Sequence, residues 1–194
     1  MTVLLALDGV ACIRGDRLVF EELSLALNRG DALWVRGPNG AGKSSLIRLA
    51  AGLLRPAAGR VVRRGRIALI DEAAALDSEL PLRRALDFWA RVDTVDGHAV
   101  DRAMDMMALN TLADVPVAML STGQRRRAAM VRVIASGAPI WLLDEPANGM
   151  DQAATARLVA AIATHRANGG AVLLASHFAL AIPDLDELVM GVLA

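Results

Sequence analysis

The sequence predicts an α/β fold, a mostly parallel sheet core with an inserted helical subdomain, on three observations. The runs Ala32 to Arg36, Ile67 to Ile70, Ile140 to Leu143 and Ala171 to Ala175 are short and apolar without alternation, as strands buried on both faces should be. Helical patterns lie between them. From about Asp71 to Gly137 the strand signal disappears and amphipathic segments take its place.

The elements follow in order. Lys43 to Leu54 is the helix after the first strand, and Gln152 to Ala167 separates the last two, with Leu158, Val159 and Ile162 on one side and Gly169 and Gly170 as its stop. This alternation is α/β winding. Inside the helical stretch, Pro81 to Val92 sets Leu82, Ala85, Leu86 and Trp89 in register, and Ala99 to Leu109 carries Met104 and Met107 on its apolar face, as core. At 194 residues the chain suits one full core and is short for two, so 1–194 reads as a single domain with a helical subdomain at roughly 72–137.

Hydrophobic residues make up 55% of the chain, yet no stretch reaches the roughly 18–20 uninterrupted apolar residues of a membrane span. Lys plus Arg and Asp plus Glu balance at 21 each, which leaves no global footprint for nucleic acid. Met1 to Ala6 lacks the basic flank and long apolar region of a signal peptide, so the expected compartment is the cytoplasm. Cys12 is the only cysteine, which excludes an internal disulfide and a multi-cysteine metal site; it reads as a small buried residue. His98, His165 and His177 show no ligand-like pairing.

Chemistry enters at Gly37-Pro38-Asn39-Gly40-Ala41-Gly42-Lys43-Ser44, which matches G-x-x-x-x-G-K-[ST] directly after a strand and before a helix. Its glycines let backbone N–H groups and the helix N-terminus close on an anion. Lys43 then bridges the outer phosphates of ATP, Ser44 offers a hydroxyl to Mg²⁺, and Ser45 is the next candidate contact. The strand Ile140 to Leu143 runs into Asp144 and Glu145 at its carboxyl end, where ligands of an open parallel sheet sit. Asp144 is placed to hold Mg²⁺ through its water shell, and Glu145 to orient the water that attacks the γ-phosphate.

Ser121 with Gln124 three residues on forms a capping box that opens a helix carrying Ala128, Ala129, Val131, Val133 and Ile134 and ending at Gly137. A second phosphate-seeking helix start in a chain with one phosphate loop suggests a ligand shared between two copies. Arg125, Arg126 and Arg127 lie in its first turns, where positive charge opposes the helix dipole. A solvated face and a contact with phosphate or a partner's acidic groups are both open readings.

The stretch Leu120-Ser121-Thr122-Gly123-Gln124 resembles the LSGGQ signature of the ABC ATPases, with Thr122 replacing the first glycine. The resemblance implies a P-loop NTPase of the ABC ATPase type. It implies that two copies sandwich two ATP molecules, each between the loop of one and Ser121, Gly123 and Gln124 of the other. Asp151, after Asn148-Gly149-Met150, matches the D-loop aspartate, and His177 matches the switch histidine that contacts the γ-phosphate. Two places depart from the pattern. No aromatic stands near Ile13 or Arg14 to stack on adenine, although Arg14 offers a guanidinium plane, and Asp71-Glu72-Ala73-Ala74 holds no Q-loop glutamine, with Glu72 as its nearest oxygen ligand.

Within that superfamily the chain is similar to the ATP-binding subunit of the haem exporter of bacterial cytochrome c maturation. The likeness rests on Ala11 to Arg17, on the compact ending after His177 and on Ser136 to Pro146. It implies a homodimer peripheral to the cytoplasmic face of the inner membrane, working with integral membrane transporter subunits. No nucleic acid partner is implied, and no direct haem binding is expected, since no haem-ligand motif is present. The same motifs also fit an ATPase of another small exporter or a soluble nucleotide-gated module. The long coiled-coil insertions, tandem domains or extra cysteines usual in soluble modules are missing, and Glu145 speaks for turnover.

Overall fold

The computed structural model describes residues 2–71 and 75–191. Five strands form a parallel sheet in the order β5-β6-β7-β3-β8: β5 Ile67–Ile70, β6 Ile140–Asp144, β7 Ala171–Ala175, β3 Ala32–Arg36 and β8 Asp186–Val189. The four apolar runs are four of its five members, β6, β7 and β3 inside and β5 at one edge. Burial explains why they do not alternate. On β6, Ile140 and Leu142 join the cluster on one face while Trp141 and Leu143 join the other, and on β7 Leu173 and Leu174 divide the same way. A strand covered on both sides needs apolar residues at every position.

One face of the sheet is covered by α1, Lys43–Ala51, and beyond it by a second, antiparallel sheet of β1 Val3–Arg14, β2 Arg17–Asn28 and β4 Ala58–Arg63. The antiparallel sheet is not anticipated by a mostly parallel core. Arg63 from β4 ties it to the helix by donating to the carbonyls of Ala50 and Leu49, both at 2.6 Å, in the last turn, where carbonyls lack i+4 helical partners. Gly52, at φ 86°, ends α1 before the expected Leu54.

The other face carries α5, Gln152–Ala167, and the helical segment of α2 Leu82–Val92, α3 Gly97–Met106 and α4 Thr122–Ala135. Met104 and Met107 are buried in that core, as the periodicity predicts. Asp96 caps α3 by accepting from the Ala99 backbone, so the helix starts two residues before the predicted Ala99 and ends earlier than Leu109. Arg132 lies 3.8 Å over the Trp89 ring and joins α4 to α2. Among the described residues no helix is long and apolar enough to cross a membrane.

The arginines of α4 are half-buried and engaged within the chain, not a freely solvated face. Arg126 donates to the Asp71 carbonyl at 2.7 Å, Arg127 to those of Met107 and Ala108 at 3.0 and 3.1 Å, and Arg125 to that of Ala118 at 3.4 Å. They bind the helical segment together, and Arg127 satisfies carbonyls at the C-terminal end of α3.

Candidate functional site

The loop between β3 and α1 is shaped by its glycines. Gly42, the N-cap of α1, has φ 97°, and a Cβ there would lie 2.5 Å from Val19 Cγ1 and 3.0 Å from the Phe20 ring. Only glycine lets β2 press against the loop this closely. Gly37 takes φ 153°, and a Cβ on it would lie 2.3 Å from the Met190 carbonyl oxygen.

Lys43 is 7% exposed, and its ammonium donates to the carbonyls of Gly37 at 2.8 Å and Pro38 at 3.2 Å. A buried cation must be hydrogen-bonded, and here the loop's own backbone supplies the acceptors. Ala41 is buried below, and Asn39, Gly40, Gly42, Ser44 and Ser45 line a cleft of about 420 Å³.

Glu145 and His177 form its opposite wall. Asp144, the last residue of β6, is 3% exposed. Glu145 then turns the chain with φ 47°, a conformation that side chains other than glycine rarely adopt, and its N–H donates to the Ala175 carbonyl on β7 at 2.8 Å. That bond holds the carboxylate beside His177: the His177 backbone N–H lies 3.4 Å from Glu145 Oε2, and Nε2 lies 3.5 Å from Oε1. Glu145 Oε1 is buried and accepts no hydrogen bond among the described residues. An acceptor in that position is suited to a polar hydrogen brought by a ligand or water.

Ser121, Gly123, Gln124 and Asp151 do not join this cleft. The capping box forms as predicted, with Ser121 Oγ accepting from the Gln124 backbone at 3.2 Å and the Ser121 N–H donating to Gln124 Oε1 at 2.8 Å. Ser121 and Thr122 are exposed. A Cβ on Gly123 would lie 2.4 Å from the Gly149 carbonyl, while the Thr122 methyl packs near Gly149, which accounts locally for threonine in place of a glycine. Asp151 is exposed and caps α5 through the Ala154 backbone at 2.7 Å.

The fold agrees with the comparisons. The ABC transporter family model matches residues 20–148. The chain belongs to the ABC transporter family. It is an ATP-binding, ATP-hydrolysing subunit of the ABC type. It is 55% identical over 186 residues to the cytochrome c biogenesis ATP-binding export protein CcmA of Novosphingobium aromaticivorans, covering 96% of this chain and 95% of the relative. To the protein of the same name from Zymomonas mobilis it is 51% identical, covering 95% and 83%. A dimeric ATP-binding cassette in a post-hydrolysis state with ADP and Pi superposes with a TM-score of 0.79 at 19% identity, covering 90% of this chain and 88% of that one.

In this ABC ATPase the sequence reading misses two cleft residues, Arg17 and Val19, which stand beside the expected Arg14. The signal was available: Gly15 and Asp16 are a two-residue hairpin loop, which sets Arg17 opposite Arg14. Ile13 is exposed and does not line the cleft. Glu72, the nearest oxygen ligand to the expected Q-loop position, lies outside the described residues.

Proposed function

We propose that this subunit powers export in cytochrome c biogenesis, as the haem exporter ATPase, by closing as a homodimer around two ATP molecules and reopening on hydrolysis. The observation that carries the mechanism is the split between the two motif faces. Asn39 to Ser45, Glu145 and His177 surround one cleft, while exposed Ser121 and half-buried Gly123 and Gln124 stand outside it. A second copy is the simplest source of the missing wall, and the dimeric cassette with ADP and Pi supports that arrangement. The named activity of the two relatives supports the pathway.

In this reading the whole chain is one ATP-binding domain, its helical subdomain at roughly 72–137 docking on integral membrane transporter subunits at the cytoplasmic face of the inner membrane. Nucleic acid and directly bound haem have no part in it. Gly37, Pro38, Asn39, Gly40, Ala41 and Gly42 wrap the phosphates with backbone N–H groups, and Lys43 exchanges its loop carbonyls for phosphate oxygens. Ser44 and Asp144 would hold Mg²⁺. A hydroxyl and a carboxylate suffice, because the phosphates and water complete the shell of an ion that supplies charge neutralisation. Glu145 accepts a hydrogen from the attacking water and aims its lone pair at the γ-phosphate, and His177 steadies the carboxylate and meets the phosphate. Asp151 faces the partner's site across the dimer.

The test is ATP turnover of the purified chain beside Glu145→Gln, with light scattering to follow association. The variant should lose about 10²–10⁴-fold in turnover while ATP still drives dimerisation. Equal turnover in the two proteins removes Glu145 from the chemistry, and failure of ATP to dimerise either one removes the sandwich.

A further inference from the structure

Glu145 is held from the end of β7, and a residue of β3 fixes that end. Trp34 is the register partner of Leu174 in the parallel sheet and is half-buried on the face covered by α5. Its indole reaches past the end of the neighbouring strand. There Nε1–H donates at 3.0 Å to the carbonyl of Ser176, the first residue after β7, which is itself buried.

That carbonyl belongs to the same peptide unit as the His177 N–H. A peptide is planar and trans, so its C=O and N–H point in opposite directions and are aimed together. Trp34 holds one end, and the other is the N–H that lies 3.4 Å from Glu145 Oε2. At that length the contact with the carboxylate is easily lost if the peptide turns. A donor on the carbonyl also polarises the unit and makes its N–H the better donor. Beyond it the chain turns on Ser176, whose Oγ accepts from the Phe178 N–H at 3.2 Å. His177, Phe178 and Ala179 are exposed, so their side chains give the turn no packed anchor.

We propose that Trp34 is a positioning residue for hydrolysis: by holding the Ser176 carbonyl it aims the His177 N–H at Glu145 Oε2 and leaves Glu145 Oε1 to the attacking water. The proposal rests on the reading of Glu145 as the group that handles the water, and it adds a residue that lies in none of the nucleotide motifs. Trp34 does not line the cleft, so ATP binding should not depend on it.

Hydrolysis by the full chain tests it, with Trp34→Phe and with 3-benzothienylalanine placed at position 34. The analogue keeps the bicyclic shape and sets sulfur where the N–H was, so it decides the matter if Trp34→Phe fails to fold. Either replacement should lower kcat about fivefold, the factor that one neutral hydrogen bond is worth, with KM for ATP and ATP-driven dimerisation unchanged. In a Glu145→Gln background, followed by single-turnover hydrolysis, the same replacement should change the rate by no more than about twofold, because the group it serves is gone. An equal fall in both backgrounds is what a merely structural loss gives and overturns the proposal, as does a rise in KM with kcat unchanged or full turnover by the analogue. If Glu145→Gln itself turns over like its parent, the assignment of Glu145 falls and the proposal with it. That result is distinct from a Glu145-dependent enzyme that ignores the Trp34 N–H.

Discussion

Ser121 separates a structural from a functional role in one substitution. Its Oγ accepts from the Gln124 backbone at 3.2 Å, as an N-cap, and Ser121→Asp keeps an acceptor in that place. A carboxylate there also complements the helix dipole, worth about 0.3–1 kcal/mol, so the melting temperature of the nucleotide-free chain should hold or rise by a degree or two. The effect on association has the opposite sign. If the start of α4 meets the γ-phosphate of a second copy, the new charge sits about 4 Å from a phosphate oxygen, a repulsion of about 4 kcal/mol at an effective dielectric of 20. That corresponds to roughly a thousandfold weaker ATP-driven association for each site, and two-fold symmetry imposes it twice. Thermal melts without nucleotide and light scattering with ATP, both in a Glu145→Gln background that spares the nucleotide, read the two effects apart. A variant that dimerises on ATP as its parent does refutes the placement of Ser121 opposite a partner's phosphate.

Arg127→Met should destabilise the chain by about 2 kcal/mol and lower its melting temperature by roughly 4–8 °C, because the carbonyls of Met107 and Ala108 lose a charged donor. Turnover per folded molecule should be unchanged; an unaltered melt with lost ATP-driven association would instead assign Arg127 to an interface. His165 is stacked 3.8 Å from Trp141, and burial, opposed by backbone contacts of Ala171 and Pro139, pushes its pKa down from 6.5 to about 4. The unfolded chain takes up this proton first, so the contribution is complete above about pH 6.5 and is lost as pH falls toward 4. With allowance for partial exposure, the loss is on the order of 2 kcal/mol. Urea midpoints at pH 7 and pH 5 should differ less for His165→Phe, which keeps the stacking face without the proton, and an equal fall in both proteins would remove His165 as the cause.

The parallel sheet and the cleft are legible in the sequence because both are written locally. A strand buried on both faces shows as an apolar run, and a phosphate loop needs its glycines and lysine within one short segment. The antiparallel sheet is less legible because its strands are broken by irregular register. Gly9 and Glu22 take positive φ, β1 and β2 shift register between Leu7 and Val10, and the alternation of Leu23, Leu25 and Leu27 covers only part of β2. The edge strand β8 is short and mostly exposed, with the sequence DELV, so neither length nor pattern marks it. The arginines of α4 are opaque for a different reason. Their acceptors are backbone carbonyls of Asp71, Met107, Ala108 and Ala118, and a carbonyl carries no sequence signal.

The two motif faces are also joined inside one chain. From Glu145 the backbone passes through tight turns, Asn148 N–H to the Glu145 carbonyl at 3.2 Å and Met150 N–H to that of Ala147 at 3.0 Å, and reaches Gly149. There the Gly149 carbonyl lies against Gly123, so close that a methyl group on Gly123 would stand 2.4 Å from it. Well-packed contacts of this kind leave no slack, so movement at the start of α4 must be met by movement of Gly149 or by loss of the contact. The strained φ of Glu145 is held from the other side by its bond to Ala175 on the rigid sheet. The short turn is therefore fixed at the carboxylate end and in contact with the signature helix at the other. In the proposed mechanism, a partner that docks on Ser121 acts on a segment four residues from Glu145, which would give closure of two copies a physical route to the geometry of its carboxylate.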